Sequence, residues 1–253
     1  MEFIRAEDVF RDKEKEIMAS INAGCSGGSV FPYFHGTTDV GVVYNGGVIL
    51  ASDGRAAMGN FIMSDEFPKI YRLDKHSAVA IAGAVRPCLD LVGLLRARFN
   101  YEEDLREGDY IPPRTKVKAI SNAIKRITPL VNVNQVVASM IFAVFDKDKK
   151  DPCGRMFQVY HDGTIAPEKA FGSLGSGSQR AVSAIRVMLK NSNPRDLSEF
   201  NIKSMAVQAL IAASEGDSGT GPSISMRKVS NEGVSEIDSE EINSIKSRIE
   251  RGG

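Results

Sequence analysis

The residues in this chain best suited to chemistry form an ordered set: Gly36-Thr37-Thr38, then Asp53-Gly54-Arg55, then Lys69. A threonine hydroxyl is a weak nucleophile at neutral pH and needs a base. If the chain is cut after Gly36, Thr37 becomes a new N-terminus. Its own α-amine, with a reference pKa near ~8, can then take up the hydroxyl proton. A nearby lysine favours the deprotonated amine through like-sign repulsion and the hydroxylate through the field of its positive charge. While residues 1–36 stay attached, the nitrogen of Thr37 is an amide and cannot act as a base. Gly36 and Thr37 therefore read as an autocatalytic cleavage site. Thr37 attacks the Gly36 carbonyl, and water hydrolyses the resulting ester.

The elements around these residues can bring them together. Asp39–Tyr44 and Val48–Ser52 are β-branched runs joined by Asn45-Gly46-Gly47, a strong hairpin signal because both central residues tolerate positive φ. Such a hairpin returns Asp53 to Arg55 towards Thr37. Ser77–Gly83 reads as a buried strand ending at a glycine. Cys88, Leu91, Val92, Leu95 and Phe99 recur at helical spacing, and Tyr101–Gly108 is expected to lead into a loop. A second helix places Val117, Ile120, Ile124, Ile127 and Val131 on one face. Its Lys116, Lys118, Lys125 and Arg126 lie elsewhere, as a solvated face or a subunit contact. Val136–Asp146 reads as a long strand, and Arg155–Tyr160 with Thr164–Phe171 as a second hairpin. Gly175-Ser176-Gly177-Ser178 opens a helix, Ser198–Ala213 is another, Ser223–Val229 is a strand, and a closing helix starts at Ser239. The Ile237, Ile242, Ile245, Ile249 series is a second candidate subunit contact. Grouped strands alternating with grouped helices suit an α+β fold, a four-layer αββα sandwich of two antiparallel sheets.

Composition narrows the function. The 253 residues carry 32 basic and 32 acidic side chains, a balance that argues against a nucleic-acid binder driven by phosphate neutralisation. No apolar run approaches the ~18 residues of a membrane span. Cys25, Cys88 and Cys153 are scattered and His35, His76 and His161 isolated, so no metal or Ser-His-Asp site is expected, and the thiols read as reduced and cytoplasmic. Residues 1–36 open with acids and have no apolar h-region, which excludes a secretory signal. With a short helix over Asp12–Ala19 and a glycine-serine loop after it, this leader is expected to be a propeptide.

At this point the sequence resembles the proteasome β-subunit family of N-terminal-nucleophile hydrolases, over essentially the whole chain after Gly36. The resemblance rests on Gly36-Thr37-Thr38, Asp53-Gly54-Arg55-Ala56-Ala57-Met58-Gly59-Asn60, Lys69-Ile70-Tyr71, Ala82-Gly83, Gly175-Ser176-Gly177-Ser178 and Asp217-Ser218-Gly219-Thr220-Gly221, in that order. It implies the Ntn-hydrolase fold, a propeptide over 1–36 and a threonine peptidase domain over 37–253. Thr37 would be nucleophile and base, Lys69 would lower the pKa of that pair, and Asp53 would orient Lys69. Arg55 would brace the turn, the Gly83 N–H would stabilise the oxyanion, and Ser176, Asp217 and Thr220 would hold the N-terminal amine. Thr220 stands where Ser is more frequent, a mild change. Ala57 stands where many members carry Thr or Ser, so a side-chain contact to the substrate backbone is lost.

The resemblance also implies a pocket lined by Ala56, Phe67, Tyr71, Ile81 and Val85. It would be free of Lys and Arg and would prefer hydrophobic residues before the cut. No metal or organic cofactor is needed. The implied partners are proteasome α-subunits and other β-subunits in stacked seven-membered rings, an ATP-dependent unfoldase or activator ring, and unfolded protein substrates, in the cytoplasm. Two alternatives stand beside this reading. One is a non-catalytic ring subunit, against which intact Thr37, Asp53 and Lys69 speak. The other is a subunit of the two-ring bacterial threonine peptidase driven by an AAA+ unfoldase.

Overall fold

The computed structural model describes residues 15–16, 19, 34–58, 61–106, 110–127, 138–147, 150–190 and 192–251. Of the expected leader helix only Lys15, Glu16 and Ala19 are described, all three helical; the rest of it, the loop after it and Val131 of the second helix lie outside the described residues. Two five-stranded antiparallel sheets form the centre. One contains, in spatial order, β11 (Phe171–Gly175), β2 (Thr38–Tyr44), β3 (Gly47–Asp53), β12 (Ile224–Ser230) and β13 (Gly233–Glu236). The other runs β10 (Ile165–Glu168), β9 (Cys153–Val159), β8 (Ala138–Asp146), β7 (Ser77–Gly83) and β6 (Ile70–Asp74). Helices α1 (Val85–Leu105) and α2 (Pro113–Ile127) cover the second sheet. Helices α3 (Ser178–Leu189), α4 (Glu199–Ser214) and α5 (Ser239–Arg251) cover the first. The architecture is the four-layer α+β sandwich.

Strand alternation explains the layering, since successive side chains point to opposite faces. On β2, Val40, Val42 and Tyr44 pack under α3 and α4, while Val43 faces the inter-sheet core. On β8, Met140, Phe142 and Val144 pack under α1 and α2, and Ile141, Ala143 and Phe145 point between the sheets. Both faces are covered, so every residue of β2, β3 and β8 is buried. The Asn45-Gly46 turn sets the β2–β3 register, with Tyr44 opposite Gly47 and Asp39 opposite Ser52. A third, small sheet of order β1 (Phe34–His35), β4 (Ala56–Met58), β5 (Phe61–Ser64) sits on this frame.

Several elements differ from expectation. Helix α1 continues through Tyr101 to Leu105, where an Arg98–Glu102 pair at 2.8 Å joins successive turns of a solvated stretch. The segment Thr164–Phe171 is not one strand. β10 closes a hairpin on β9, and the chain then crosses at Lys169-Ala170 to start β11 against β2 in the other sheet. Lys116 is not on a solvated face. It is buried, paired with Asp74 at 2.7 Å and set over the Phe99 ring, whereas Lys118, Lys125 and Arg126 are exposed. Ile237, Ile242 and Ile245 are buried in the chain's own core beneath α4, because α5 turns its apolar stripe inwards.

Candidate active site

Asp53, the last residue of β3, is the hub. Its carboxylate is fully buried and accepts four hydrogen bonds, two on each oxygen. Oδ1 takes the Thr38 N–H at 2.6 Å and Lys69 Nζ at 2.9 Å. Oδ2 takes the Arg55 and Gly221 N–H groups, each at 2.8 Å. A buried carboxylate needs this degree of satisfaction to be tolerated. The β2–β3 hairpin supplies Thr38 and Asp53, the approach to β6 supplies Lys69, and the turn before β12 supplies Gly221.

Lys69 is buried and reaches onward to the Gly36 carbonyl oxygen at 3.2 Å. Thr37 Oγ1 donates to that same oxygen at 2.7 Å. Two donors thus converge on the bond between Gly36 and Thr37. Gly36 has φ +113°, and a Cβ there would stand 2.6 Å from the Gly219 carbonyl oxygen, so only glycine fits without movement.

Behind Thr37, its carbonyl accepts the Ser176 N–H at 2.8 Å and lies 3.3 Å from Ser176 Oγ. Ser176 and Thr220 hydroxyls both donate to Asp217 Oδ2, at 2.5 and 2.6 Å. Partial burial pushes the Asp217 carboxyl up, but these hydroxyls and the Gly219 N–H outweigh it and hold it below its ordinary value. Thr220 Oγ1 also lies 2.6 Å from Thr38 Oγ1, which accepts the Gly177 N–H at 3.1 Å. Ser176 grips the Thr37 carbonyl, and Asp217 and Thr220 complete the network behind it.

Gly83, at the end of β7 with φ +122°, lines the cleft in front of Thr37 together with Arg55, Ala56, Phe67, Lys69, Ile81 and Val85. One expected lining residue, Tyr71, stands elsewhere. Ala57, expected to meet substrate through its backbone alone, is buried in β4, where its main chain pairs with His35. The Tyr71 hydroxyl donates to the Pro68 carbonyl, and its ring lies under the Arg96 guanidinium on the α1 side. Arg55 and Lys69 do reach the lining, against the expectation of a wall without cations. Each is neutralised by an acid, Arg55 by Asp65 at 2.7 Å and Lys69 by Asp53. The free space is ≈ 10 Å³, room for about one water molecule.

Sequence reasoning missed four contributors. Thr38 and Gly219 lay inside noted motifs but had been given no task. Asp65, which fixes Arg55, belongs to no motif. Asp39 is fully buried, with Ser52 Oγ donating to its Oδ1 at 2.5 Å. Burial pushes its carboxyl well up, against the lowering influence of Ser52 and Lys69. Its position directly after Thr38 was the available signal.

A family model described as "Proteasome subunit" matches residues 33–229. The chain belongs to the proteasome subunit family, as a β-type member. It is 30% identical to a proteasome subunit beta of Methanococcus aeolicus over 213 residues, covering 84% of this chain and 93% of that one. A proteasome subunit beta of Methanococcus vannielii is 32% identical over 222 residues, 86% of this chain and 94% of its own length. For that of Acidothermus cellulolyticus the figures are 33% over 189 residues, 74% of this chain and 63% of the relative. The αββα sandwich is accordingly an Ntn-hydrolase fold, in a protease family whose subunits assemble in rings. Among the described residues no helix is long and apolar enough to cross a membrane.

Proposed function

We propose that this proteasome-family subunit is a threonine endopeptidase of the cytoplasm that frees its own nucleophile by cutting between Gly36 and Thr37. The observation that carries this reading is the convergence of Lys69 Nζ and Thr37 Oγ1 on the Gly36 carbonyl oxygen. Lys69 is oriented by Asp53 and polarises that carbonyl. Thr37 Oγ1 bonds to the Gly36 carbonyl carbon as the C–N bond breaks and the nitrogen gains a proton, giving an ester. Water hydrolyses the ester and leaves Thr37 with a free amine. In later turnovers that amine accepts the hydroxyl proton, Lys69 stabilises the hydroxylate, and the Gly83 N–H is the donor for the oxyanion. Ser176, Asp217 and Thr220 are the groups that position the amine, and Arg55 braces the turn.

The strand β1 supports this assignment from the substrate side. Residues just before the cut pair antiparallel with β4, Phe34 opposite Met58 and His35 opposite Ala57. Ala57 therefore contributes its main chain to an extended peptide, which compensates for its short side chain. Gly36 places no side chain in the cleft, consistent with its small free space. Ala56, Phe67, Ile81 and Val85 would meet a hydrophobic residue before the cut in a substrate, an unfolded polypeptide delivered by an unfoldase ring through α-type subunits.

The deciding experiment is intact-mass analysis of purified wild type and Thr37→Ala. Wild type should start at Thr37, whereas the variant should keep residues 1–36 and hydrolyse no peptide. Removal of the leader from Thr37→Ala at the same position would overturn autolysis, and a leader retained by an inactive wild type would favour the non-catalytic subunit.

A further inference from the structure

Charge is distributed unevenly across the molecule, although the chain as a whole balances 32 bases against 32 acids. β11 and β13 are opposite edges of one sheet, and β10 and β6 are opposite edges of the other. At the β10/β11 side lie two adjoining clefts of ≈ 980 and ≈ 680 Å³ that share Lys169 and Arg195. The smaller is lined by Lys169, Arg186, Lys190 and Arg195 over an apolar floor of Phe171 and Leu189, with no acid in the lining. The larger adds Arg114, Lys147 and Arg155 against only Asp146 and Glu168. Asp146 is already engaged by Arg155 and by the Tyr110 hydroxyl. Lys169, Arg186 and Lys190 are exposed, and none makes a salt bridge among the described residues.

The β13 side is the opposite. From 232 to 241 the chain holds Glu232, Glu236, Asp238, Glu240 and Glu241 without one Lys or Arg, and all five are exposed. Glu241 is paired with Lys203 at 2.8 Å and Glu236 lies 3.4 Å from Arg227, and the other three have no salt bridge among the described residues. This acidic run follows the edge strand into the first turn of α5.

A basic patch cannot face its own copy across a two-fold axis, because like charges opposed at close range cost several kcal/mol. It can face the acidic edge of the next copy. Complementary surfaces on opposite edges make a head-to-tail contact, which closes into a ring when the rotation allows. We propose that the basic clefts at the β10/β11 edge receive the acidic segment 232–241 of a second copy of this chain, in a contact repeated around a ring. The inference rests on the family's ring assembly and not on the peptidase reading, so it is tested without reference to hydrolysis.

Three full-length variants decide it: Lys169→Glu with Arg186→Glu, Glu236→Lys with Glu240→Lys, and all four changes together. Sedimentation velocity and native mass spectrometry at low and high salt read the assembled fraction, and circular dichroism melts confirm folding. Each double variant should lose assembly by about tenfold or more at low salt, through repulsion between like edges. The fourfold variant, whose edges have exchanged sign, should recover it, and raised salt should weaken wild-type assembly. The neutral pair Lys169→Gln with Arg186→Gln should fall between wild type and reversal, and it stands in if a reversed chain does not fold. A wild type that does not self-associate, a double variant that assembles normally, or a folded fourfold variant that stays dispersed would each overturn the proposal. Loss confined to the basic variant would also overturn it, by assigning the clefts to another acidic partner such as an α-type subunit.

Discussion

On the proposed mechanism the chemistry of this chain is concentrated in a few residues whose burial makes them intolerant of change. Asp53 has four donors on two oxygens, so Asp53→Asn would turn an amide NH2 towards N–H groups and leave Lys69 buried without its counter-charge. Removing one member of a buried pair costs about 3–5 kcal/mol, which urea denaturation of the variant should register. Its leader should also stay attached. Gly36→Ala should keep the fold but slow the cut, because φ +113° and the 2.6 Å approach to Gly219 add about 1–3 kcal/mol of local strain. A time course of leader release checks this. Thr37, Asp53 and Lys69 could be singled out in the sequence because each type is chemically unusual at its spacing. Asp65 could not, since an acid's partner ten residues away is a property of the folded chain, and for Asp39 the sequence offered only its place after Thr38, not its burial.

At the level of elements, the hairpin and the helices were legible and the crossings between sheets were not. Periodicity reports which face of a segment is apolar, but it cannot say which of two sheets a strand joins, and so Thr164–Phe171 read as one strand. β1, β4 and β5 are short and lack a long alternating pattern, so the small sheet left no signal either. The start of α4 yields a pH-dependent outcome. Partial burial of Glu199 raises its pKa, but hydrogen bonds from Lys203, Tyr44 and Lys228 win and lower it from 4.5 to about 2. A folded-state value below the unfolded one contributes stability above about pH 4.5, lost as pH falls towards about 2. Thermal melts across that window should show a steeper loss for wild type than for Glu199→Gln, and Glu199→Gln should be the less stable protein at neutral pH.

For the molecule as a whole, substrate choice is the sharpest outcome. The cleft walls Ala56, Phe67, Ile81 and Val85 are apolar, and both cations at its rim are held by acids. Fluorogenic peptides ending in Leu, Tyr or Phe should be cut faster than those ending in Arg or Glu, by about tenfold or more given ~1–3 kcal/mol for a well-filled apolar pocket. Equal or faster cleavage after Arg or Glu would reassign the pocket. The overall architecture was legible because grouped strands and grouped helices leave few ways to bury both faces of two sheets. Which edges meet another subunit was not, because Lys116 and the Ile237–Ile245 stripe look like surface features in one dimension and turn inwards in three.

The hydrogen bonds of Asp53 also bear on timing. Its donors come from Thr38, Arg55, Lys69 and Gly221, and the last lies 168 positions away. Contacts that distant form late, since loop closure must precede them. The cleaving arrangement is therefore complete only after β12 has docked beside β3. On the proposed mechanism the protein cannot arm itself half-folded: release of the leader dates the moment at which β12 fell into place beside β3.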